Sequence, residues 1–112
     1  MIARALAQSA RVLLLDEPTL HLDLYYQLQI LTALKKLCQQ QRITVITVLH
    51  DVNLTSLFAD KVLLLSGGKL RAFGPVQEVV TEDQIKDLLG VEVKAMADAE
   101  TGIPYFVPRI PR

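Results

Sequence analysis

Apolar and polar positions change period along the chain, and those changes divide it into elements. Val12 to Leu15 is an apolar run that stops at two adjacent acids, Asp16 and Glu17. A short apolar run ended by polar residues predicts a buried strand. Leu24, Leu28, Leu31, Leu34 and Cys38 then recur at helical spacing, with Gln27, Gln29, Lys35, Lys36 and Gln39 to Gln41 supplying polar positions. This predicts an amphipathic helix over 24–41, with Asp23 placed as its N-cap. Ile43 to Leu49 is apolar and β-branched, a second buried strand. Strand, helix and strand at these lengths make a βαβ unit with a right-handed crossover. Residues 2–9 read as the end of a helix and 52–59 as a short one. Two apolar runs, 62–65 and 69–73, flank Gly67-Gly68 and predict a hairpin, with a break at Gly74-Pro75. Thr81 caps a further helix that ends near Gly90. Residues 91–97 and 103–107, around Asp98 to Gly102, form a second hairpin. The fold class is α/β.

Composition narrows the function classes. The 112 residues suffice for one small domain, and 51% of them are hydrophobic, so a packed core is affordable. Twelve basic and twelve acidic residues give a formal net charge of zero. With no basic cluster, the pattern argues against a surface that binds nucleic acid through phosphate attraction. The single cysteine, Cys38, has no partner for an intrachain disulfide, which fits a reducing, cytoplasmic compartment. No apolar run approaches the roughly 20 residues of a membrane span. No signal-peptide pattern is evident, so work at a membrane would proceed through a partner.

The chemistry concentrates at the ends of the first two strands. Ligands of open α/β sheets bind beyond the carboxyl ends of the strands. Two acids at such a tip can divide the work of nucleotide hydrolysis. Of Asp16 and Glu17, one would hold Mg²⁺ and the other position the attacking water, unless the strand simply runs into an acidic loop. Pro18 fixes φ and turns the chain away from the tip. His50 directly follows the second strand and so shares that sheet edge. His21 reads as a surface or interface residue. The two histidines and one cysteine are scattered without metal-ligand spacing, and no G-x-S-x-G of a serine hydrolase occurs.

The string Val12-Leu13-Leu14-Leu15-Asp16-Glu17-Pro18-Thr19-Leu20-His21-Leu22-Asp23 resembles the Walker B and D-loop segment of ATP-binding-cassette (ABC) ATPases. Three other stretches agree in order. Ile2 to Leu6 is similar to the helix after the family's signature motif, and Val48-Leu49-His50-Asp51 to its switch-histidine loop. Asp60 to Leu65 with Gly68-Lys69 is similar to the strand and hairpin that follow. The resemblance is firm over residues 1–75. It extends more loosely to the C-terminus, where Thr101-Gly102-Ile103-Pro104 and Val107-Pro108 resemble importers of iron chelates, haem or cobalamin. It implies part of a P-loop NTPase domain: parallel strands, a crossover helix and C-terminal hairpins, without the phosphate-loop strand. It implies Asp16 as the Mg²⁺ carboxylate, Glu17 and His50 as catalytic residues, and Asp23 as the aspartate that crosses the dimer interface. ATP and Mg²⁺ are the implied cofactors. The implied partners are a second ATP-binding subunit and transmembrane permease subunits. The implied place is the cytoplasmic face of the membrane, reached only through the permease, with no nucleic acid bound.

Two departures matter. The phosphate loop G-x-x-x-x-G-K-[ST] does not occur: the Gly68-Lys69 pair is followed by Leu70, and Leu63 stands where the first glycine would be. The resemblance places that loop, the Gln loop and the adenine-stacking aromatic upstream of everything matched. A truncated gene, a misassigned start codon or a deliberately shortened chain would each produce this, and the chain alone would then be inactive. Leu65-Ser66-Gly67-Gly68-Lys69 looks like the ABC signature, but that motif opens a helix to meet phosphate, whereas this one lies between two apolar runs. Two other functions stay open: a soluble ABC-type ATPase acting on the ribosome or DNA, and a non-catalytic product that occupies the interface of an intact ATPase.

Overall fold

The structure, a computed structural model, describes residues 12–110. The expected helices over 2–9 and Ile2–Leu6 lie outside the described residues. The chain divides into two compact units, one up to His50 and one from Asp51 onward.

In the first unit, β1 (Val12–Asp16) pairs in parallel with β2 (Thr44–Val48), and α1 (Leu24–Gln41) connects them. The register runs from Val12 against Thr44 to Asp16 against Val48. The core is made by Leu13 and Leu15 of β1, Leu31 and Leu34 of α1, and Ile43 ahead of β2. The Asp23 side chain accepts from the Tyr26 N–H, so the expected cap forms. Arg42 ends α1 in the left-handed region (φ 52°) without a glycine.

One expectation fails here. The strands are not buried on both faces: β1 alternates, with Leu14 72% exposed, and Ile46 opposite it on β2 is 55% exposed. An unbroken apolar run implies cover on both faces. Among the described residues, the core of this unit takes only the side that carries Leu13 and Leu15.

In the second unit, α2 (Val52–Phe58) precedes the antiparallel pair β3 (Lys61–Ser66) and β4 (Lys69–Pro75). Gly67 (φ 59°) and Gly68 (φ 73°) form the turn, the two positive φ values that a tight hairpin turn of this hand requires. The Ser-Gly-Gly lookalike is therefore a hairpin and opens no helix. The break expected at Gly74-Pro75 comes at Pro75, where the strand ends. β4 runs through Pro75, which sits ahead of a one-turn helix α3 (Val76–Val79) where its missing N–H costs nothing. Then come α4 (Glu82–Leu89), capped by Thr81 and Gly90, and the hairpin β5 (Val93–Ala97) with β6 (Pro104–Pro108). Val76, Val80, Ile85 and Phe106 form the core, with Val52, Ala59, Val62 and Val93 against them.

Side chains fasten the last hairpin. Ala95 and Phe106 lie opposite each other across β5 and β6. The Ala95 N–H donates to Glu82 Oε1 (2.8 Å). The Phe106 N–H donates to Asn53 Oδ1 (2.6 Å), and Asn53 Nδ2 returns a bond to the Phe106 carbonyl (3.1 Å). Asn53 thus satisfies both backbone groups of a residue only 3% exposed. Asn53→Ala is expected to lower stability by about 2–3 kcal/mol, because it leaves buried backbone groups unpaired. Urea unfolding followed by circular dichroism checks this, and a change under 0.5 kcal/mol would contradict it.

The loop of that hairpin is also polar-built. The Asp98 carboxylate accepts from the Thr101 N–H, the Thr101 hydroxyl and the Glu100 N–H. These bonds, Thr101's first, hold its carboxyl below the ordinary value. A depressed folded-state value means that the loop's stabilisation is present above the unfolded carboxylate range. It is lost as pH falls through the folded value. An NMR titration should give Asp98 a lower midpoint than an unstructured aspartate, and Thr101→Ala should raise it.

Candidate functional site at the tips of the first two strands

The apolar register that pairs Asp16 with Val48 also decides what stands beyond the strand ends. Asp16 is the last residue of β1, and His50 follows β2 by two positions, so both emerge at the carboxyl edge of one parallel sheet. Glu17 departs from the strand with φ 48°, a left-handed conformation that non-glycine residues adopt at a cost of order 1 kcal/mol. This turns its side chain back across the sheet edge. Glu17 Oε1 is in hydrogen-bond contact with His50 Nε2, across 33 positions of sequence. The Glu17 side chain is 22% exposed and that of His50 is 72% exposed, so the pair lies at the surface with its carboxylate partly sheltered.

The residues after Glu17 form two successive turns. The Leu20 N–H donates to the Glu17 carbonyl (3.1 Å), and the Leu22 N–H donates to the Thr19 carbonyl (3.3 Å). Thr19 is buried, and His21 is exposed with φ 67°. Asp23 then caps α1. It stands at the far end of this loop, and its described bond is to its own helix.

Of the sequence-identified residues, the structure brings Glu17 and His50 into contact and sets Asp16 beside Glu17 in the chain. Asp23 serves as a helix cap, and Asp51 likewise caps α2 through the Asn53 and Leu54 N–H groups. Sequence reasoning missed Gln27, whose side chain donates to the Thr19 carbonyl (3.3 Å). A glutamine on the polar side of an amphipathic pattern carries no signal that separates it from a solvated one.

The arrangement can do limited chemistry. An ionised carboxylate has about four lone-pair sites, so Glu17 can accept from His50 and from a water together. Among the described residues, no group of three or more His, Cys, Asp or Glu could hold a metal ion. A cation at this edge would therefore have fewer than three such side chains of the described residues to bind. This suits Mg²⁺, which commonly binds one or two carboxylates and fills its shell with water and substrate phosphate. No helix among the described residues is long and apolar enough to cross a membrane.

Parts of known proteins are similar to this chain in sequence and fold. No family model matches the chain. It is 39% identical over 96% of its length to a petrobactin import ATP-binding protein of Bacillus anthracis. It is 44% identical over 88% of its length to a hemin import ATP-binding protein of Bradyrhizobium diazoefficiens. It is 36% identical over 96% of its length to the ferric enterobactin transport ATP-binding protein of Escherichia coli. The chain spans 39%, 35% and 40% of those proteins, respectively. A solved metal-chelate-type ABC transporter in an inward-facing conformation matches 97% of the chain with a TM-score of 0.89 and 33% identity; 44% of that structure's chain is covered. The ABC protein cbiO1 of Clostridium perfringens matches 77% of the chain with a TM-score of 0.67 and 31% identity, over 34% of its own length.

Proposed function

We propose that this chain, which over the stretch it spans resembles the ATP-binding subunits of ABC importers of iron chelates and haem, carries the hydrolytic part of an ATPase site that drives such import. The observation that carries the proposal is the Glu17–His50 contact at the carboxyl edge of a parallel sheet, beside Asp16. In this reading Glu17 accepts a proton from water, or polarises it, while it attacks the terminal phosphate. His50 fixes the carboxylate's direction and can donate to the phosphate oxygens as charge develops. Asp16 would hold Mg²⁺, mainly through water. A cation bound there would supply positive charge against the phosphate groups. Asp23 would face a second ATP-binding subunit while capping α1.

The reading extends to partners. Two such subunits would close on ATP, and their closure would move transmembrane permease subunits on the cytoplasmic side of the membrane. The likeness to proteins named for petrobactin, hemin and ferric enterobactin supports an iron chelate or haem as the cargo. These 112 residues hold no phosphate loop, so the polypeptide as it stands is expected to give no ATP turnover above buffer. The test joins the chain to the upstream segment of the Bacillus anthracis relative. ATP hydrolysis by the joined protein, stimulated by a permease in vesicles, supports the proposal. A folded joined protein that binds ATP without hydrolysing it would defeat the proposal, and so would turnover by the 112 residues alone.

A further inference from the structure

The loop that carries Glu17 is held in an unfavourable shape, and one of the groups that holds it has no part in the chemistry above. Glu17 and His21 both occupy the left-handed region, at φ 48° and 67°. Between them the backbone makes two turns, closed by the Glu17 and Thr19 carbonyls. Left to itself, such a segment relaxes toward extended backbone, and a relaxed Glu17 would swing its carboxylate away from β2. The Thr19 carbonyl accepts twice: from the Leu22 N–H within the loop, and from Gln27 Nε2 of α1, each at 3.3 Å. Thr19 itself is buried, and the Gln27 bond to it is part-buried, so water competes less there than at an open surface. Gln27 stands in the first turn of α1, and its own N–H donates to the Asp23 carbonyl (3.0 Å). The same residue therefore ties the helix start to the middle of the loop.

We propose that Gln27 is a positioning residue: its side-chain amide holds the Glu17–Asp23 turns in the shape that sets Glu17 against His50. The inference rests on Glu17 being the water-activating carboxylate, but its geometric content stands without nucleotide. Because Gln27 reaches Glu17 through Thr19, its loss acts on the direction of the carboxylate and leaves the strands intact. A side chain that merely packed against the loop would be replaced without effect by one of the same length and volume.

The test uses three variants of the chain. Gln27→Met keeps the stem and removes the donor, Gln27→Lys keeps a donor, and Glu17→Ala removes the contact itself. Two readouts apply: hydrogen exchange of the segment containing the Leu20 and Leu22 amides, and the rate at which diethyl pyrocarbonate modifies His50. Gln27→Met is expected to speed exchange in that segment about tenfold, the loss of one hydrogen bond. It should also move the His50 modification rate toward that of Glu17→Ala, with β1 and β2 exchange unchanged, and Gln27→Lys should behave as the unsubstituted chain. The proposal is overturned if Gln27→Met leaves both readouts unmoved, if it speeds β1 and β2 equally, or if Gln27→Lys matches Gln27→Met. Neither readout involves ATP, so failure here leaves the ATPase reading standing. Failure of the joined protein to hydrolyse ATP leaves this coupling measurable.

Discussion

Glu17→Gln, placed in the protein joined to a relative's upstream segment, is expected to lower kcat for ATP hydrolysis by about 10²–10⁴-fold, the range for loss of a general base. Nucleotide affinity should not fall, because the substitution keeps the shape of the side chain and removes a negative charge that faces the phosphate. His50→Ala should also lower kcat, since it deletes the group in contact with Glu17 Oε1. The informative comparison is the double variant. If the two side chains act as one unit on one water, losing both costs little more than losing the more important one. A double loss equal to the product of the single losses would mean that they work independently, and the contact would then have no catalytic meaning. Full turnover in Glu17→Gln would remove Glu17 from the mechanism altogether.

The second large effect concerns the chain itself in solution. Val12, Leu14, Ile46 and Val48 lie on one face of the β1–β2 pair, each at least half exposed. Leu63 and Phe73 face each other across β3 and β4, and Leu65 and Leu70 do the same, again with each at least half exposed. Two contiguous apolar sheet faces exceed what a monomeric protein ordinarily shows to water. The described sheets are also two-stranded, a size that is marginal without further cover. The 112-residue chain is therefore expected to self-associate at micromolar concentration. Light scattering should report a mass well above 12.5 kDa, falling toward that value when Leu14 and Ile46 are both replaced by lysine. A monodisperse 12.5 kDa species for the unsubstituted chain would refute the expectation.

How much of this could be read from sequence follows from what each signal encodes. The helix over 24–41 was legible because Leu31 and Leu34 must be buried and their spacing repeats. Its cap was legible because an aspartate ahead of an apolar period has one common use. Both hairpins were legible from their glycines and flanking apolar runs. The burial of β1 was misjudged, since an apolar run states what a strand needs on both faces and does not state what the chain provides. The short helix after Pro75 was hidden because Gly-Pro signals a stop equally well before a turn and before a helix. At the site, the residues in contact were named from motif resemblance, whereas their distance depends on the β1–β2 register and the left-handed turn at Glu17, which no local pattern specifies. Asn53, Glu82 and Gln27 went unread for a shared reason. An amide or carboxylate that pairs with a distant backbone group looks, in sequence, the same as one that pairs with water.

The capture of the Ala95 and Phe106 amides by Glu82 and Asn53 has a consequence for recognition. An extended peptide docks on a hairpin by adding itself as a further strand, and for that it needs outward-facing amides with nothing bonded to them. At the Ala95–Phe106 position, the outward amide of each strand is occupied. A protein that meets this position of the hairpin must read it through side chains such as the exposed Met96, Tyr105 and Val107. Its contacts would then be sensitive to point substitution in a way that main-chain docking is not.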